Sequence, residues 1–266
     1  MPMYEVDGAE LHVETVGSGP PVLLLHGGLG LDHTYFRPAF DQLADQATVI
    51  YYDHRGNGRS GGDVGALTLE RLADDVVGVL DALGVETAAV LGHSYGGFIG
   101  QVAAIAHPER FTRLVFLNTV PAFDYQPMPS GTEEQVASWA KLFEGVPDDA
   151  TWRQLWTAAQ PLYYHRYDEA EAARIDAATT YVGEAWNTAA GLLGEFNTLA
   201  ALPDVSVPTL AAGGRHDFIT PPEQGPERIA SLVPDAELAI FEGSGHYPFL
   251  EEPELFFPRL RGFLAG

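Results

Sequence analysis

The strongest constraint on this chain is a strand that has to turn abruptly into a helix around a serine. Ala88-Ala89-Val90-Leu91 reads as a buried strand, Gly92-His93-Ser94-Tyr95-Gly96 follows it, and a helical pattern runs from about Tyr95 to His107, where Pro108 ends it. With 29 glycines in the sequence the G-x-S-x-G pentapeptide alone says little, so its context carries the argument. A turn of this kind strains the serine backbone, and glycines two before and two after let strand and helix approach closely. The hydroxyl then stands above the sheet at a helix N-terminus, where exposed N–H groups favour negative charge.

The surrounding sequence repeats the same alternation. Tyr4 to Val6 and Leu11 to Thr15 read as an opening hairpin, while Pro21 to Leu25, Ala47 to Tyr52, Thr87 to Leu91 and Leu114 to Leu117 are apolar runs of the kind found in strands buried on both faces. Leu69, Leu72, Val76, Val79, Leu80 and Leu83 mark a helix, with Thr68 as its N-cap and Gly84 as its stop. The pattern predicts an α/β chain with a mostly parallel sheet between helices. From about Pro121 to Pro203 the texture becomes helical and acidic, without a convincing strand, and all four tryptophans fall there. Strands resume at Thr209 to Ala212 and Glu237 to Phe241, before a helix over about Pro253 to Leu264. The middle stretch therefore reads as an insertion.

Composition removes several classes of function. Fourteen basic against 37 acidic residues give a net charge of −23, which opposes nucleic-acid or anionic-membrane partners. Lys141 is the only lysine and no glycine-rich loop precedes it, so a P-loop is excluded. The absence of cysteine excludes a thiol nucleophile, a zinc–thiolate site and a disulfide framework. The N-terminal sequence has neither a basic start nor an apolar stretch, and no apolar run reaches eighteen residues, so a soluble, cytoplasmic protein is expected. Gly56-Asn57-Gly58-Arg59-Ser60-Gly61 fits G-x-G-x-x-G, but its helix starts only near Thr68 and the next strand carries no acidic residue for a ribose. Neither H-x-H nor H-E-x-x-H occurs. No cofactor and no metal are expected.

A serine hydroxyl becomes a useful nucleophile only when a base takes its proton, and that base needs a carboxylate to orient it. Nine histidines compete. His246, in Gly245-His246-Tyr247-Pro248 directly after the last strand, is the best placed, and Asp217, after the penultimate strand in Gly213-Gly214-Arg215-His216-Asp217, is the best carboxylate. His216 and His26 read as structural. Donors for a developing oxyanion are expected from the backbone N–H groups of Gly28, in the turn His26-Gly27-Gly28, and of Tyr95.

Taken in order, His26-Gly27-Gly28, the loop Asp53 to Ser60, Gly92 to Gly97, Gly214 to Asp217 and Gly245-His246 resemble the motifs of α/β-hydrolase-fold serine hydrolases over nearly the whole chain. The resemblance implies an eight-stranded sheet with a helical cap inserted after the sixth strand, a core domain of residues 1–120 and 204–266, and a cap of residues 121–203. It implies a triad of Ser94, Asp217 and His246 and a small-molecule substrate with an acyl group, most simply a carboxylic ester or lactone. Aspartate in place of Ser94 would mark dehalogenases and epoxide hydrolases. The first and second of these loops also resemble those of prolyl aminopeptidases, in which a cap carboxylate such as Glu184 or Glu195 would hold a substrate ammonium. Leu29 stands where that subgroup usually has proline, and the serine turn lacks its usual tryptophan. A slow-turnover ligand receptor on the same fold is a third reading. Most of the cap aromatics are expected to form the cap's own core, the rest an apolar cleft.

Overall fold

The computed structural model describes residues 2–28 and 30–266; Leu29, where the aminopeptidase comparison falls, lies outside the described residues. Eight strands form one sheet: β1 (Met3–Val6), β2 (Ala9–Gly17), β3 (Pro21–Leu25), β4 (Thr48–Tyr52), β5 (Ala88–His93), β6 (Phe111–Leu117), β7 (Thr209–Gly214) and β8 (Ala236–Phe241). Their order is β1-β2-β4-β3-β5-β6-β7-β8. The β1–β2 and β2–β4 pairs are antiparallel and every later pair is parallel.

The apolar runs are continuous because both faces of the sheet are covered. Leu23 and Leu25 of β3 enter one core cluster while Val22 and Leu24 enter the other, and Leu114 and Phe116 of β6 are likewise separated from Val115 and Leu117. Helix α1 (Leu69–Ala82) follows the predicted pattern: the Thr68 side chain accepts from the Arg71 N–H, and Leu72, Val76, Val79 and Leu80 are buried. Each of these side chains contributes roughly 1.5–3 kcal/mol on leaving water. Helix α2 (Tyr95–Ala106) follows β5 directly.

Between β6 and β7 stand α3 (Glu133–Leu142), α4 (Asp149–Ala159), α5 (Glu169–Ala178) and α6 (Gly183–Leu192), the helical cap region. Among the described residues its only sheet-like pairing is one antiparallel bridge, Ala122 to Asn197. The cap is tied to the loops beneath it. The Trp152 indole and the Val182 N–H both donate to the Gly30 carbonyl, at 2.8 and 2.9 Å, and the Tyr163 carbonyl accepts from the His246 N–H at 2.6 Å.

The chain ends with α7 (Pro226–Leu232), α8 (Pro248–Glu251) and α9 (Pro253–Ala265). Neither α7 nor the 3-10 turns at His33–Phe36 and Ala39–Asp45 was expected from the sequence. Each is too short to display a helical period. Several strands also run longer than their apolar runs; β6 begins at Phe111 rather than Leu114, because the polar Thr112 and Arg113, which are not fully buried, still belong to the ladder with β5. Among the described residues no helix is long and apolar enough to cross a membrane.

Candidate active site

Parallel strands put their carboxyl ends on one edge of a sheet, and ligand sites of open α/β sheets gather there. Gly28 follows β3, Ser94 follows β5, Asp217 follows β7 and His246 follows β8, so residues spread over most of the chain converge at this edge.

Ser94 has φ +54° and ψ −119°, the left-handed region that non-glycine residues avoid. The structure that enforces it is close contact. A methyl group at Gly92 would overlap the Gly96 carbonyl, and one at Gly96 would overlap the carbonyl oxygens of Leu25 and His26. Gly96→Ala is therefore expected to cost roughly 3 kcal/mol, as overpacked cores do, and to lower kcat because β3 carries Gly28 away from Ser94. A urea denaturation midpoint beside an ester assay checks both; an unchanged midpoint would contradict the packing argument.

His246 Nδ1 lies 2.7 Å from Asp217 Oδ2, with both residues buried. Since the carboxylate only accepts, the ring proton sits on Nδ1, and Nε2 of the neutral imidazole keeps its lone pair. Asp217 also accepts from the Ile219 and Thr220 N–H groups at 3.0 and 3.1 Å, from Asn118 Nδ2 at 2.8 Å and from the Thr220 hydroxyl. Burial alone would push this carboxyl up, but the attraction of His246 and these hydrogen bonds outweigh it and hold it below the usual carboxylate range.

Gly28, Ser94, Tyr95 and His246 line one cavity of about 500 Å³. Tyr95 is the first residue of α2, so its N–H has no partner inside the helix, and Gly28 adopts φ +49°. Among the described residues no hydrogen bond joins the Ser94 hydroxyl to His246; both line the same cavity, and catalytic hydrogen bonds often form only when substrate binds.

Sequence reasoning missed the residues that hold this arrangement. His93 Nε2 donates to the His246 carbonyl at 2.9 Å, so His93 Nδ1 accepts from the Tyr35 hydroxyl at 2.7 Å, and Tyr35 in turn accepts from the Gly27 N–H at 2.7 Å. Burial pushes His93 well down, which keeps it neutral and the chain of bonds intact. Asn118, at φ +47°, clamps Asp217 and donates to the Gly245 carbonyl at 3.2 Å. The G-x-G-x-x-G loop has a structural role as well: Asn57 Oδ1 accepts from the Gly30 N–H at 2.5 Å. Asn57 and His93 both stand inside recognisable motifs, but neither motif announces these bonds.

Other expected residues lie elsewhere. His26 is buried and neutral, taking the His54 N–H on Nε2 at 3.1 Å, and His216 is exposed and stacked on His165 at 3.7 Å. Glu184 and Glu195 are exposed and outside the cavity wall. More cap aromatics reach the cavity than the sequence suggested: three of the four tryptophans line it, while Trp152 is the fully buried exception.

Among the described residues one group gathers three metal-ligating atoms, His12, His33 and Asp53, within 4.8 Å of one another. Separated positions hid it from the spacing rules. Asp53 is already engaged, accepting from His33 Nδ1 at 2.7 Å and from Arg59 Nε at 2.9 Å, and these partners outweigh burial to keep its carboxyl low. The guanidinium supplies the counter-charge a cation would, so we read the group as a support for the loop above it.

Comparison with known proteins agrees with this fold. Residues 20–253 match the family described as alpha/beta hydrolase fold. The putative carbamate hydrolase RutD of Azorhizobium caulinodans is 31% identical over 99% of this chain and 98% of its own length. Proline iminopeptidase PfmaB of Pestalotiopsis fici is 29% identical over 98% of each chain. An esterase structure from Exiguobacterium antarcticum superposes with a TM-score of 0.85 over 99% of both chains at 23% identity. The chain thus belongs to the α/β-hydrolase fold family of hydrolytic enzymes.

Proposed function

We propose that this protein hydrolyses a small carboxylic ester or lactone through an acyl-enzyme on Ser94. The observation that carries the reading is the buried His246–Asp217 pair at 2.7 Å, with its imidazole on the same cavity wall as a strained serine. In the first step His246 Nε2 takes the Ser94 proton as Oγ bonds to the substrate carbonyl carbon, and the N–H groups of Gly28 and Tyr95 receive the oxyanion. Collapse breaks the ester C–O bond, and the leaving alkoxide takes the proton from His246. A water molecule then repeats the sequence: His246 accepts its proton, hydroxide adds to the acyl carbon, and Ser94 leaves reprotonated. Asp217 fixes the ring tautomer and supports the imidazolium. In a lactone the leaving alkoxide stays tethered to the acyl group.

In the same proposal residues 121–203 form the cap and residues 1–120 and 204–266 the catalytic core. The net charge of −23 supports a small-molecule substrate over nucleic acid or an anionic membrane surface, and a cytoplasmic setting belongs to this reading. The aminopeptidase reading needs a carboxylate at the cleft, and Glu184 and Glu195 do not supply one.

A fluorophosphonate probe tests the assignment. Mapped by mass spectrometry, it should label Ser94 stoichiometrically and abolish ester turnover; labelling elsewhere with loss of turnover refutes it. The pH profile is a second readout. Asp217 stays ionised below the usual carboxylate range, and burial keeps His26, His54 and His93 neutral. Because only a neutral imidazole accepts the serine proton, kcat/KM should decline on acidification, and an acid-insensitive rate would count against His246 as the base.

A further inference from the structure

The cavity wall has a property that the catalytic residues do not require. Among the described residues no aspartate, glutamate, lysine or arginine lines it. Its polar groups are neutral: the Tyr95 hydroxyl is buried without a partner, and several others are engaged within the protein. The Tyr125 hydroxyl donates to the Ile219 carbonyl at 2.6 Å, the Tyr163 hydroxyl accepts from the Trp139 indole at 3.3 Å, and the Tyr35 hydroxyl is held by His93. The Thr220 hydroxyl belongs to Asp217.

The rest of the wall is mostly apolar, and its rings include two groups. On the side of α2, Phe98 meets Phe123 edge-on at 5.4 Å and Phe123 stacks with Tyr125 at 5.7 Å. On the cap side, Trp139 contacts Phe143 at 5.0 Å and Phe143 contacts Trp186 at 5.3 Å. Among the described residues no ring contact joins the two groups. Ser94 adjoins the first through α2, and His246 adjoins the second through Tyr163, whose ring meets it edge-on at 5.4 Å.

Resting on the serine-hydrolase reading, we infer that the substrate is an uncharged ester with apolar groups on both sides of the scissile carbonyl, at least one of them aromatic or of comparable bulk. A terminal carboxylate or ammonium would leave water for a wall that offers neutral polar groups but no counter-charge, the most costly transfer a ligand can make. Apolar arms would instead replace water against rings on either side of the reacting atoms.

Three matched esters test this: 1-naphthyl butyrate, the hemisuccinate that ends the same acyl chain in a carboxylate, and the 4-aminobutyrate that ends it in an ammonium. The neutral ester should lead both in kcat/KM by about 100-fold or more. A charged ester turned over as well as the neutral one overturns the inference and leaves the catalytic reading intact. Binding separates the two failures. In Ser94→Ala, 1-naphthyl propyl ketone should quench fluorescence of the cavity tryptophans at concentrations at least tenfold below those needed for the ketone ending in a carboxylate. If wild type turns over no ester beyond the Ser94→Ala background but the ketones bind in that order, the hydrolytic reading falls and the pocket inference stands. If the neutral ketone fails to bind, or binds no better than its charged counterpart, the inference falls.

Discussion

Ser94→Ala is expected to lower kcat toward an acyl ester by about a millionfold, with the fold and the binding of uncharged ligands retained. Removing the nucleophile of a serine hydrolase costs that much because the remaining groups act as a unit, and His246 has no proton to take once the hydroxyl is gone. The residual rate above water would come from binding and from the N–H groups of Gly28 and Tyr95. Stability should respond differently. Ser94 sits at φ +54°, a conformation that alanine shares the strain of and glycine does not. Ser94→Gly should therefore be equally inactive yet more stable than wild type by about 1 kcal/mol, the strain released less the backbone entropy glycine brings. Burst-free single-turnover assays and urea midpoints on the two variants check this. A variant at 94 that keeps more than a thousandth of wild-type turnover would take Ser94 out of the chemistry, while equal midpoints would show that the turn stores no more strain than the backbone entropy glycine costs.

The positions of Ser94, Asp217 and His246 were legible in the sequence because each is tied to local punctuation. A strand run stops, glycine or proline follows, and one side chain capable of chemistry stands in the turn. The same rule placed Gly28. The supports were not legible, because they are set by distance in space alone. His93 touches the His246 carbonyl across 153 residues, and Asn118 reaches Asp217 across 99. Nothing near either residue announces the partner. The cavity wall failed for a different reason: a tryptophan on an amphipathic helix has the same periodicity whether its ring fills a core or faces a cleft, and only the packing around it in space decides between them. Trp152 and Trp156 sit four residues apart on α4, yet only Trp156 lines the cavity. Carboxylates misled in the opposite direction. Glu184 and Glu195 looked like partners for an ammonium, and both lie on solvated surfaces, the commoner fate of charge on a helix.

Asp217→Asn should cost about four orders of magnitude in kcat with little change in KM, although it alters a single atom at the far side of His246 from the substrate. The carboxylate accepts from five donors: the imidazole, the Asn118 amide, the Thr220 hydroxyl and two backbone N–H groups. An amide can turn only its one oxygen toward them, and its NH2 must then face a donor. Placed against the imidazole, that NH2 favours the tautomer with the proton on Nε2, which has no lone pair for the Ser94 proton, and this is why exchanging the carboxylate for an amide costs about 10⁴ elsewhere. Loss of tautomer control also predicts a pH signature in stability. The folded-state carboxyl lies below its ordinary value, so it contributes stability that is fully present above the unfolded value of about 3.9 and is lost as pH falls through the folded one. Wild type should accordingly exceed Asp217→Asn in urea midpoint near pH 7, with the gap narrowing on acidification below about pH 4. A gap that stayed constant over that range would mean the charge of Asp217 adds nothing to the fold. A variant with near-normal kcat would mean that His246 finds its orientation elsewhere, and the Tyr163 carbonyl and His93, which already hold its backbone, would be the first places to look.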